Sequence, residues 1–114
     1  MGQNGKSVLA DYIKYQRELN NAKIAINSLA VRVENFKIGK TGMTIEDRFA
    51  EPDYDGVYDD IDTVFTSDDP DEVSRMEADL IEEFKGHANC DNIRTTEKDE
   101  MTESDEYSVY VVWK

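Results

Sequence analysis

The stretch IDTVFTSDDPDEVSRMEADLIEEFKG, residues 61–86, changes its hydrophobic period in the middle. Ile61, Thr63 and Phe65 alternate with Asp62, Val64 and Thr66, the two-residue repeat of a strand with one buried face. Beyond Asp69 the apolar residues Val73, Met76, Leu80, Ile81 and Phe84 recur at steps of three and four, the repeat of an amphipathic helix. Asp69-Pro70 is a start signal: an Asp side chain accepts from the free N–H groups of a first turn, and Pro has no N–H to leave unsatisfied. The helix is expected from about Pro70 to Lys85, stopping at Gly86. A strand that leads straight into such a helix needs a sheet for the helix to cover.

The flanking sequence supplies the rest of that sheet. Residues 107–113, YSVYVVW, are rich in β-branched and aromatic side chains and read as the strongest strand in the chain. Residues 91–106 are polar and acidic without a period and read as a long loop or lid. Upstream, EPDYDGVYDD at 51–60 reads as loop, and Thr44, with Asp47 three residues on, caps a short helix over 44–50. Gly39-Lys40-Thr41-Gly42 is expected as a turn. Before it, LAVRVENFKI at 29–38 reads as one strand or as a short hairpin turning near Glu34-Asn35. The expected fold is α+β: a small mixed sheet flanked by helices, with a long N-terminal helix. At 114 residues this is one domain, 1–114, with a modest core.

The N-terminal helix is expected over 6–29, where Val8, Tyr12, Tyr15, Leu19, Ala22, Ile26 and Leu29 form a seam at alternating steps of four and three. Such a seam needs cover, from its own sheet or from a second copy of the helix. With Leu9, Ile13 and Ile24 widening the apolar face, a homo-oligomer through 6–29 is the expectation.

Net charge is −13 and unevenly placed: residues 1–48 hold 8 Lys/Arg against 5 Asp/Glu, and residues 49–114 hold 5 against 21. Nucleic-acid affinity rests on cations that neutralise phosphates, so duplex DNA is not an expected partner and any phosphate-bearing ligand must meet the basic half. The acidity reads as a solvated surface, or as a face for a basic protein or mimicry of DNA charge. No stretch approaches the roughly 18 apolar residues of a membrane span. The sequence opens on no secretory signal or myristoylation motif, and its single cysteine, Cys90, suits a reducing compartment, so a cytoplasmic address is expected.

Two residues stand out as chemistry. Glu77 interrupts the apolar stripe of the 70–85 helix, four residues after Val73 and three before Leu80. A carboxylate there must be paired, protonated, at a pocket mouth or bound to a metal. Arg48 follows Ile45 by three, on or beside the sheet-facing side of its helix, from where it can pair with Glu77 or grip a phosphate. His87 and Cys90 have ligand-like spacing, with Glu83 or Asp91 near in sequence, but lack the second pair a zinc site needs. Gly5-Lys6-Ser7 and Gly39-Lys40-Thr41 each lack the first glycine of a nucleotide loop.

Phe36-Lys37-Ile38-Gly39-Lys40-Thr41-Gly42, followed by Thr44-Ile45-Glu46-Asp47-Arg48-Phe49, resembles the second-strand-to-helix segment of the GIY-YIG superfamily, in the KIG variant typical of phage-encoded branches. The 61–65 strand and the Arg75-Met76-Glu77-Ala78-Asp79-Leu80 helix are similar to the elements that follow in that family, so the resemblance covers about half the chain. It implies a GIY-YIG-like core over 30–114, the catalytic arginine at Arg48, the metal-binding glutamate at Glu77, Lys37 in place of the second tyrosine, and a late asparagine at Asn92. The family's first tyrosine, about ten residues before the KIG segment, has no counterpart; Ile26-Asn27-Ser28 stand there. Loss of a group that activates water costs on the order of 10²–10⁴ in rate. The expected function is therefore a non-catalytic protein that captures a small phosphate-bearing nucleotide with Lys37, Lys40, Arg48 and Asn92 and an aromatic wall of Phe36 or Tyr54. Such a protein would suit a phage that sequesters a nucleotide immune signal. No cofactor is expected. The alternatives are a divergent endonuclease, with Arg48 and Glu77 catalytic and Mg²⁺ on Glu77, and an acidic DNA mimic acting on a host protein.

Overall fold

A computed structural model describes residues 2–93 and 101–114, with side chains from Val8 onward. The elements in chain order are α1 (Gly2–Ala30), β1 (Phe36–Thr41), α2 (Ile45–Phe49), β2 (Asp60–Ser67), α3 (Pro70–Phe84) and β3 (Tyr107–Trp113). The architecture is α+β, and the order of elements follows the hydrophobic periods of the sequence. The three strands form one sheet in the order β1-β3-β2, with both pairings antiparallel. The mixture of directions expected for the sheet is confined to a parallel bridge between Phe36 and Cys90.

The start signals act as their chemistry requires. The Thr44 hydroxyl accepts from Asp47 N–H at 3.1 Å, and the Asp69 carboxylate accepts from Asp71 N–H at 2.9 Å with Pro70 opening α3. The 29–42 expectation is corrected: α1 continues to Ala30, Arg32 N–H closes a turn on the Leu29 carbonyl at 2.9 Å, and the strand begins only at Phe36 and runs through the expected 39–42 turn as far as Thr41, held in register by β3. Val31, which was to alternate inward, is 85% exposed. The apolar alternation before Phe36 was the end of a helix running into a turn. Of the expected loop 91–106, residues 94–100 lie outside the described residues.

Both faces of the sheet are covered, which is why every residue of β3 except Trp113 is buried. Tyr107, Val109 and Val111 face a core shared with Phe36, Ile38, the buried stripe of α3 and the second half of α1. Tyr110 and Val112 face a smaller cluster with Tyr54, flanked by Ile45, Phe49, Tyr58 and Ile61. On β2 the sequence had Ile61 and Phe65 on one face. They lie on opposite faces, because the ladder shifts register between Thr63 and Phe65, and the extra residue, Val64, reverses the alternation.

Half of the α1 seam is covered at home. Tyr15, Leu19, Ala22, Ile26 and Ala30 are buried, and the Tyr15 hydroxyl donates to Asp79 of α3 at 2.6 Å under the Arg75 guanidinium. The other half overhangs the body: Val8 is 70% and Tyr12 58% exposed, with Leu9 and Ile13 exposed beside them.

Candidate phosphate-binding pocket

One cleft of about 270 Å³ gathers most of the residues singled out in the sequence. β1 contributes Lys37 and Lys40, α2 contributes Arg48, the following loop Glu51, Asp53 and Tyr54, α3 Glu77, and β3 Tyr110. Alternation along β1 explains the split: Phe36, Ile38 and Lys40 point to the α3 side, Lys37 and Gly39 to the α2 side. The cleft therefore takes side chains from both faces of the sheet.

On the α3 side, Glu77 is fully buried and lies 3.9 Å from Lys40 Nζ, which also donates to the Ser74 hydroxyl at 3.0 Å. The pairing considered for Glu77 with Arg48 is not the one formed. Because Glu77 sits where a surface charge cannot, Glu77→Gln is expected to shift stability by more than the ~0.5 kcal/mol usual for surface substitutions, or to alter anion binding. Chemical denaturation and titration that both match the parent protein would refute this.

On the α2 side, Arg48 forms a bidentate pair with Asp53, Nη1 to Oδ1 at 2.8 Å and Nη2 to Oδ2 at 2.9 Å, and Nη1 also donates to Glu51 at 2.9 Å. Its guanidinium lies 4.0 Å from the centre of the Tyr54 ring. Burial works against this charge, but hydrogen bonding to Asp53 and the neighbouring phenols hold Arg48 above its ordinary pKa; the hydrogen bonds from Arg48 in turn lower that of Asp53. The Tyr54 and Tyr110 hydroxyls share a hydrogen bond of 2.7 Å. Burial, reinforced by Tyr54, pushes the Tyr110 phenol far above the usual tyrosine range, so the neutral phenol is the favoured form.

Tyr110 is the residue that sequence reasoning missed. It pairs in register with Gly39, and its ring folds over that glycine, which has no side chain to obstruct it. The available signal was a tyrosine in the middle of the strongest strand, but nothing in the sequence says which strand is its neighbour.

Two of the expected ligand residues lie elsewhere. Phe36 is fully buried in the main core, edge-on to Phe84 at 6.1 Å. Asn92 is buried with its amide against β1, accepting from Ile38 N–H and donating to the Ile38 carbonyl, both at 2.8 Å. It continues the edge of the sheet that Asn89 and Asp91 begin at Phe36. Tyr54 is 2% exposed and serves as the platform under Arg48 rather than an open stacking wall. The His87 ring packs on Phe84 at 5.0 Å, and among the described residues no group of three or more His, Cys, Asp or Glu side chains is arranged to hold a metal. Likewise, no described helix is long and apolar enough to cross a membrane.

Comparison with protein-family models, curated proteins and solved structures gives no match to this chain.

Proposed function

We propose that the cleft captures a small phosphate-bearing ligand, a nucleotide first of all, and holds it without turning it over. The observation that carries this reading is the presence of Lys37, Lys40 and Arg48 with the Tyr110 hydroxyl around one cleft, three cations and a hydroxyl with the charge to suit phosphate oxygens. The volume is at the small end for ligand sites and suits a compact ligand rather than a duplex. The overall charge of −13 penalises long nucleic acid far more than a single nucleotide. Sequestration of a nucleotide signal is the role this chemistry serves, as a phage anti-defence protein would perform it. In calorimetry with a panel of cyclic, mono- and diphosphate nucleotides and pyrophosphate, the protein is expected to bind at least one member with micromolar affinity, and Arg48→Ala and Lys40→Ala to lose it. Failure to bind any member, with no small molecule in the mass spectrum of the purified protein, would overturn the reading.

A second reading, metal-dependent phosphodiester cleavage, is favoured by one observation: Tyr110 brings a tyrosine hydroxyl to the Lys37–Gly39 segment from the far end of the chain, into the same cleft as Glu77. Against it stands the raised pKa of that phenol, which disfavours the phenolate that would have to take a proton from water. With Mg²⁺ or Mn²⁺, duplex and branched DNA are expected to stay uncut; metal-dependent cleavage lost in Arg48→Ala would install the second reading.

For assembly, we propose that the overhanging half of α1 pairs with a second copy. The stripe Val8, Leu9, Tyr12 and Ile13 is symmetric about the midpoint of Ala10 and Asp11. An antiparallel crossing there sets Val8 against Ile13 and Leu9 against Tyr12 twice over, a self-complementary contact.

A further inference from the structure

Arg48 reaches the cleft already occupied. Asp53 takes both ends of its fork, at 2.8 and 2.9 Å, in the parallel two-bond arrangement that a phosphate would use, and Glu51 takes a further bond to Nη1. The two partners differ in how firmly they are held. The Arg48 side chain is only 17% exposed and fixed on the Tyr54 ring, whereas the Asp53 side chain is 56% exposed on the loop between α2 and β2. The arginine is therefore the anchored member and the carboxylate the one able to leave.

We propose that Asp53 is an internal competitor for the anion site, an attached stand-in for phosphate that an incoming ligand must displace from Arg48. This rests on the reading of the cleft as a phosphate site and adds what controls its affinity. Arg48 has a fixed number of donors, and a fork filled by two carboxylate oxygens has none of that pair left for a ligand. Displacement returns Asp53 to water, where an exposed carboxylate is well solvated, and leaves the guanidinium charge matched throughout. The competitor also keeps the empty pocket from holding an unpaired buried cation, which accounts for an acidic residue within a site meant for anions.

The test is pyrophosphate binding by calorimetry to the parent protein, Asp53→Asn, Asp55→Asn and Arg48→Ala. Asp55 lies two residues along the same loop, is exposed, and makes no contact with Arg48, so its substitution removes the same charge without opening the fork. Asp53→Asn is expected to bind about tenfold more tightly than the parent, Asp55→Asn as the parent does, and Arg48→Ala not at all. Asp53→Asn binding no better than the parent, while Arg48→Ala still loses binding, would overturn the competitor and keep the phosphate site. An equal gain in Asp55→Asn would overturn it too, by reducing the effect to general charge. Absence of pyrophosphate binding in every variant would overturn the competitor, and the phosphate site falls with it if the nucleotide panel also fails to bind. Unchanged circular dichroism of Asp53→Asn checks that the loop substitution leaves the fold intact.

Discussion

Ile26→Asp is expected to abolish the cooperative unfolding transition of this protein, leaving a chain without a thermal midpoint in circular dichroism. Ile26 is fully buried against the main core, whose described residues include no cation to meet a carboxylate placed there. The cost is roughly 4 kcal/mol or more, a large part of the ~5–15 kcal/mol that holds a domain of this size together. Val8→Asp with Tyr12→Asp lies on the same helix and the same seam, yet is expected to leave the midpoint of the isolated fold in place, because those side chains have solvent to lose and not a core. Its effect is on assembly. Light scattering of the parent protein is expected to give a dimer or larger species, and the double variant a monomer. A parent protein that is monomeric at micromolar concentration would show that the overhang pairs with nothing of its own kind, and a folded Ile26→Asp would show that α1 is not part of the core.

The second large effect is expected at Gly39. A side chain placed there would run into the Tyr110 ring and hydroxyl, which lie directly across the ladder on the same face. Gly39→Val cannot be absorbed by a turn of the phenol alone, since Tyr110 is packed on Tyr54 at 5.8 Å between ring centres and bonded to its hydroxyl. Overpacking of this kind costs about 1–3 kcal/mol and displaces what it strikes. The variant is expected to unfold at lower urea concentration and to lose anion binding, because the displaced Tyr110 carries with it the platform that sets Arg48. Anion binding equal to the parent's would show that Tyr110 and Tyr54 are scaffolding only.

Much of the architecture was readable before any coordinates. The Asp69-Pro70 start, the Thr44 cap and the 107–113 strand are local events, decided by side chains bonding the adjacent backbone or by dense β-branched packing, and they stand within two residues of where the sequence put them. The misreadings share a different cause. Leu29, Val31 and Val33 look like strand residues because a helix end and a turn can imitate alternation over so short a span. Ile61 and Phe65 looked like one face because a bulge leaves no mark in composition. At the site, Arg48 and Glu77 were legible as a cation and a carboxylate in unusual places, and Lys37 and Lys40 as the cations of the 36–42 segment that carries the resemblance. Their pairing was not, since which carboxylate meets Arg48 depends on how the 50–59 loop folds back, and which tyrosine meets Gly39 depends on the order of strands.

That order has a consequence for how the protein is made. β1 and β2 do not pair with each other; among the described strands each has β3 as its partner, which follows both in the chain by some forty residues or more. A ribosome working at about 5–20 residues per second therefore releases two strand-forming segments that have no ladder to join until β3 emerges. The helices can form as they appear, but the sheet cannot begin from its first strand and grow. It closes in one late event that joins residues far apart in sequence, the kind of contact that slows folding. Until then Phe36, Ile38 and Phe65 have no sheet to bury them, so the nascent chain passes through a window in which its future core is open to chaperones, and a message cut short before Tyr107 yields no sheet at all.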